Sequence, residues 1–109
     1  MKNVFEYGSF SRSIDFTNAR TMKNYRQAYA GLQSDLKKIE DTGEVEEQIK
    51  GQCRVIKRFF DRFLGPGTAQ KMFGDEDSAM ECMDAVDHLY DLYRQQMVRF
   101  YNLTKFRGK

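Results

Sequence analysis

Residues 59–84 read FFDRFLGPGTAQKMFGDEDSAMECMD, from Phe59 to Asp84. An apolar helix end runs into Gly65-Pro66-Gly67. Proline cannot continue a helix and glycine supplies a left-handed cap, so a helix stops here. Thr68 to Phe73 makes about one more helical turn, with Thr68 as its expected cap, and Gly74 ends it. Asp75, Glu76 and Asp77 lead to Ser78, which is followed three residues on by Glu81, the Ser-x-x-Glu pattern of a capping box. A last long amphipathic helix is therefore predicted from about Ala79 to Leu103. Ala79, Cys82, Val86, Leu89, Tyr93, Met97 and Phe100 lie on one face of it.

Working back from Gly65, a second helix is predicted from about Glu44 to Leu64. Val45, Ile49, Cys53, Ile56, Phe60 and Phe63 recur at spacings of 3 and 4. Thr42 is the expected N-cap. Glu44, Glu46 and Glu47 open the helix and Lys57, Arg58 and Arg62 come late, which complements the helix dipole. A first helix is predicted from about Thr17 to Glu40, with the stripe Met22, Tyr25, Tyr29, Leu32, Leu36 and Ile39, and with Thr17 or Asp15 as its cap. Asp41-Thr42-Gly43 turns the chain between them. Residues 1–16 do not read as helix. Val4, Phe5, Tyr7, Phe10, Ile14 and Phe16 flank Gly8-Ser9, which predicts a small hairpin or an extended arm packed on the body. The expected fold is mainly α: one domain over 1–109, with three long helices, one short helical turn, an N-terminal arm or β-hairpin, and a basic tail at 104–109.

A chain of 109 residues supports one modest core. The formal net charge of +2 is too small to imply nucleic acid or an anionic membrane. No apolar run approaches the ~18 residues of a membrane span. MKNVFEYGSFSRSIDF lacks the apolar stretch and cleavage site of a signal peptide, so the protein is expected in the cytoplasm. Cys53 and Cys82 fall on apolar helical positions and read as buried, reduced thiols. His88 is four residues from Asp84 and reads as a surface pair. Glu81, Asp84, Asp87 and Asp91 lie on one helix without the loop spacing of a calcium site, and read as a solvated face. Gly65-Pro66-Gly67 follows a helix and lacks the Lys-Ser/Thr ending of a phosphate loop. No base, nucleophile and stabiliser come together, so neither an enzyme nor a cofactor or metal is expected.

Two features point to partners. Five basic and no acidic residues run from Arg94 onward, interleaved with Phe100, Tyr101 and Phe106. That segment reads as a solvated tail, a docking arm for another protein, or a clamp for a nucleic-acid strand, the last disfavoured by the near-neutral total charge. Apolar residues also exceed the main stripes: Val55 and Phe59 on the second helix, Met80, Leu92 and Val98 on the last, and Phe73 at a turn. They either widen the core or form a surface for a partner helix or subunit. The candidate partner-binding set is Val55, Phe59, Phe63, Phe73, Met80, Phe100 and Tyr101.

From Ile14 to about Gln96 the chain resembles a family of small phage and prophage proteins from the tail-gene cluster, which includes tail assembly chaperones. The resemblance is carried by Ile14-Asp15-Phe16 leading to Tyr25, by Phe59-Phe60-Asp61, Phe63 and the loop Gly65-Pro66-Gly67-Thr68-Ala69, by Lys71, Phe73 and Gly74, and by Cys82, Asp84 and Ala85. Pro66 replaces the acidic residue more usual there, and the segment past Met97 is longer than usual. The resemblance implies a non-enzymatic assembly factor of the bacterial host cytoplasm, binding a helix-rich tape measure protein by helix-in-groove contacts and self-associating along it. The rival roles are a structural tail-completion or connector subunit of the virion, and a nucleic-acid-binding accessory protein.

Overall fold

The computed structural model describes residues 3–39 and 43–107. Strands β1 (Val4–Tyr7) and β2 (Phe10–Ser13) are followed by helices α1 (Ala19–Lys37), α2 (Val45–Leu64), α3 (Thr68–Phe73) and α4 (Ala79–Arg107). The protein is thus mainly helical, with three long helices, a short one and an N-terminal antiparallel hairpin. Of the two forms open to residues 1–16, the hairpin is the one adopted. Thr42, the expected cap of α2, lies outside the described residues, as do the side chains of Lys105, Phe106 and Arg107 and the whole of Gly108 and Lys109.

The hairpin pairs Val4 with Ser13 and Tyr7 with Phe10, leaving Gly8-Ser9 as a two-residue loop. Gly8 has φ +59°, which a primed hairpin turn needs and which L side chains resist. A second constraint acts there. A Cβ on Gly8 would lie 2.4 Å from the carbonyl oxygen of Met72. Beside it, the Ser9 N–H and hydroxyl both donate to the Lys71 carbonyl, at 3.2 and 2.8 Å. The hairpin turn is therefore seated on the end of α3. Gly8→Ala is expected to cost about 1–3 kcal/mol in thermal or denaturant unfolding. Gly8→Asn, which tolerates positive φ, will not recover the loss, because its Cβ meets the same carbonyl. Full recovery by Asn would show that only the dihedral matters.

The helix ends follow their local signals in part. Asn18 caps α1, its Oδ1 accepting from the Arg20 and Thr21 N–H groups at 3.0 and 3.1 Å. The caps expected from sequence were Thr17 or Asp15. Asp15 instead accepts from the Thr17 N–H at 2.9 Å, shaping the turn that precedes the helix. Ser78 caps α4 as expected, accepting from the Glu81 N–H at 3.2 Å. α4 runs through Arg107, four residues past the expected end, so the basic segment begins as helix.

Neighbouring side chains define the helix directions. The Cys53 and Cys82 thiols meet near the start of α4, whereas Phe63 and Tyr93 both pack on Phe16 further along. α4 therefore runs in the same sense as α2, and α3 with the following loop carries the chain back. α1 is antiparallel to α2: the chain just past α1 sets Ile39 beside Gly51, whereas Tyr25 meets Phe59 and Phe63 further along. Because α4 starts beside the middle of α2, the two ends of the molecule are staggered. The α1–α2 tip projects one way and the end of α4 the other. The extents are 56 × 29 × 21 Å and the radius of gyration is 15.6 Å, against ~13 Å for a compact chain of this length. The stagger also explains why Val45 and Leu36, on the predicted stripes, are exposed. α4 does not reach that far.

Phe16 and Phe60 are the hubs of the core. Phe16 packs on Tyr25, Phe63 and Tyr93, so one side chain joins the hairpin exit to all three long helices. Phe60 stacks on Phe5 at 5.9 Å and meets Phe59 and Phe73 edge-on.

Candidate protein-interaction surface

The seven side chains expected to meet a partner divide in two. Val55, Phe59, Phe63 and Phe73 are buried. The expectation that they offer surface to a partner is corrected: they belong to the monomer's core. Phe59 packs on Tyr25 of α1, and Phe63 on Tyr25 and on Phe16 at the hairpin exit. Phe73 packs against Tyr7 of the hairpin and Phe60 of α2. Leu92, also counted as surplus, is buried too.

Met80, Phe100 and Tyr101 do lie at the surface, Met80 at 79% exposure and Tyr101 at 63%. Met83, Tyr90, Val98 and Leu103 join them, each half or more exposed. All seven belong to α4. Two rows are distinguishable by helical geometry. The inner row of Cys82, Ala85, Leu89, Leu92 and Gln96 is buried, and its line continues as Phe100 and Leu103 where α4 outruns the body. The outer row holds Met80, Met83, Tyr90, Val98 and Tyr101.

The Gly65–Gly74 motif is structural. Gly65 (φ +108°), Gly67 (+88°) and Gly74 (+64°) all occupy conformations that favour glycine. Thr68 is the first residue of α3 rather than its cap. Its hydroxyl donates to the Gly65 carbonyl at 2.7 Å. The free amide of α3 is met from the preceding helix: the Ala69 N–H donates to Asp61 Oδ1 at 2.9 Å. Phe59 and Phe60 fill the core, Asp61 caps, Phe63 and Ala69 are buried, and the glycines make the turn. Each residue of the motif thus has a folding role, and Pro66 simply occupies the turn between two glycines.

The sequence reading missed Gln96. It is fully buried. The Phe16 N–H donates to its Oε1 at 2.7 Å and its Nε2 donates to the Ile14 carbonyl at 2.8 Å. One amide side chain thereby supplies, from α4, the two bonds that a neighbouring strand would give residues 14–16. The only available signal was its position, on the inner row between Leu92 and Phe100.

Three further contacts hold the hairpin. Arg12 Nη1 donates to the Leu64 carbonyl at 2.7 Å, at the negative end of α2. The Tyr7 hydroxyl donates to the Glu81 carbonyl at 3.0 Å and to Asp84 Oδ2 at 3.3 Å. His88 Nε2 lies 3.7 Å from Asp84 on the exposed side of that cluster, an open pair at the surface. On α2 a row of cations, Lys50, Arg54, Lys57, Arg58 and Arg62, borders a shallow groove with Pro66. Asp77 takes Lys57, Asp35 takes Arg58 and Arg62, and Glu47 takes Lys50. The row is largely neutralised from within.

Cys53 and Cys82 are buried free thiols. Burial, reinforced by the hydrogen bond with Cys53, pushes the Cys82 thiol from 9.0 up to about 12. Burial, with Tyr29, Tyr93 and Tyr90 nearby, likewise pushes Tyr25 from 10.0 up to about 12. Both shifts favour the neutral form in the folded state. Above the unfolded values the unfolded chain holds fewer protons, so stability falls as pH rises. Urea midpoints are therefore expected to decline from about pH 9 toward pH 12. Cys82→Ala should flatten the first part of that decline. A flat profile in the parent protein would contradict it.

A model described as a family of unknown function (DUF6673) matches residues 8–108, and the chain belongs to that family. No curated protein and no solved structure matches it. Among the described residues, no helix is long and apolar enough to cross a membrane.

Proposed function

We propose that this protein is a non-enzymatic phage tail morphogenesis factor, a tail assembly chaperone acting in the bacterial host cytoplasm on a helix-rich tape measure protein. The observation that carries the reading is the end of α4. Its inner row leaves the body as Phe100 and Leu103, Leu103 being 57% exposed, on the stretch of helix that also carries the exposed Arg99. An apolar line on a protruding helix can lie along another amphipathic helix and leave it again, because the contact area is small. The motif from Phe59 to Gly74 supports the same reading through its resemblance to tail-region proteins, as a builder of the scaffold that holds α4.

The test is co-expression with the tape measure protein of the same phage, followed by affinity capture and sizing. A soluble complex is expected. Leu103→Asp should weaken it without lowering the melting temperature, since the residue is exposed in the free protein. No complex with the parent chain, together with the protein's presence in purified particles, would assign it to the virion instead.

A further inference from the structure

The outer row of α4 carries a second, separate pattern. At 100° per residue, Met80, Met83, Tyr90, Val98 and Tyr101 fall within roughly an 80° sector. All are half or more exposed. Asp87 and Arg94 interrupt the row in the same sector, and both are exposed. Charge along α4 is divided. Glu81, Asp84, Asp87 and Asp91 occupy its first half with no lysine or arginine; Arg94, Arg99, Lys105 and Arg107 occupy its second with no acid.

We propose that two copies of this chain associate through the outer rows of α4, antiparallel, about a two-fold axis beside Tyr90. The charge division selects the direction. A parallel pair would lay acid on acid and base on base, whereas an antiparallel pair lays each half on its opposite. The register follows as well. Placing Met80 opposite Tyr101 of the second copy also places Met83 opposite its Val98 and Asp87 opposite its Arg94. By symmetry each pairing occurs twice, with the two Tyr90 side chains flanking the axis. Every exposed apolar residue of the row gains an apolar partner, and the two charges that interrupt it gain each other. The inference does not rest on the chaperone reading; it concerns the opposite side of α4 from Leu103.

The test is sedimentation equilibrium of the full chain across a wide concentration series. A monomer–dimer equilibrium is expected. Asp87→Arg alone or Arg94→Asp alone should raise Kd by about tenfold or more, by setting like charges together. The double variant Asp87→Arg/Arg94→Asp should restore the parent Kd. Both positions are exposed, and thermal melts monitored by circular dichroism report whether each variant folds. A second variant is independent of charge: Tyr90→Cys, oxidised with diamide, should form a covalent dimer, since Cys53 and Cys82 are buried. A parent chain that stays monomeric throughout, single reversals that leave Kd unchanged, a double variant that does not recover, or a Tyr90→Cys chain that stays uncrosslinked would each overturn the proposal.

Discussion

Phe16→Ala is expected to remove about 3–5 kcal/mol of folding stability. Phe16 is almost wholly buried and meets Tyr25 at 5.0 Å, Tyr93 at 5.3 Å and Phe63 at 5.9 Å. Deleting the ring opens a cavity where the hairpin exit and all three long helices converge, so no single element can shift to fill it. A domain of this kind has only ~5–15 kcal/mol in total. The melting temperature should fall on the order of 20 °C. Val45→Ala, at the exposed start of α2, is the comparison, expected within about 0.5 kcal/mol of the parent. Equal effects from the two variants would mean that the convergence at Phe16 is not what holds the fold. The same logic applies to Phe59→Asp, which buries a charge in the core and abolishes folding rather than probing a partner surface.

Gln96→Leu is the second large effect. It keeps a side chain of similar bulk but strands the Phe16 N–H and the Ile14 carbonyl without partners inside the core. An unsatisfied buried group costs about 1–3 kcal/mol, so a total of about 2–4 kcal/mol is expected. Hydrogen exchange at the Phe16 amide should accelerate beyond the change in global stability; undiminished protection there would sink the idea. Gln96→Glu offers a sharper check. A neutral carboxylic acid can donate to the Ile14 carbonyl and accept from the Phe16 N–H, restoring both bonds, whereas a buried carboxylate has no proton to donate. Its folded-state pKa is raised above the ordinary ~4.3 for Glu. Its stabilisation is therefore complete below that value and lost as pH rises through the raised one. Gln96→Glu should be the less damaging substitution in acid and the more damaging at neutral pH.

Much of the architecture was legible because it is written locally. Gly65-Pro66-Gly67, Ser78 with Glu81, and the 3–4 spacings of α1, α2 and α4 each act within a few residues, and the helices lie where they predict. What was not legible depends on distant chain. Val55, Phe59 and Phe73 exceed the main stripes, and spacing alone leaves open whether such residues widen the core or face a partner. Tyr25 of α1 covers Phe59, and Tyr7 of the hairpin covers Phe73, a placement no local pattern states. Asp61 capping α3 and Gln96 pairing with residues 14–16 are polar groups satisfied across the fold, and periodicity treats such residues as solvent-facing. The opposite error occurs at Val45 and Leu36. Their spacing is right for a core, but the stagger of α4 leaves them uncovered.

The hairpin's attachment dictates an order of events during synthesis. Tyr7 bonds to Glu81 and Asp84, 74 and 77 positions later. Residues 14–16 bond to Gln96, 80 and 82 positions on. The hairpin residues leave the ribosome before all four helices and are thus among the last to find their seats. The α1–α2 pair can form while α4 is still unmade, but Phe5 and Phe16 have no complete pocket until it arrives. Closing so large a loop carries an entropic cost that nearest-neighbour helix contacts do not. A nascent chain stopped before Gln96 will therefore display the aromatic side chains of the hairpin segment, and that interval is when the newborn protein is most exposed to aggregation or to capture by the cell's folding machinery.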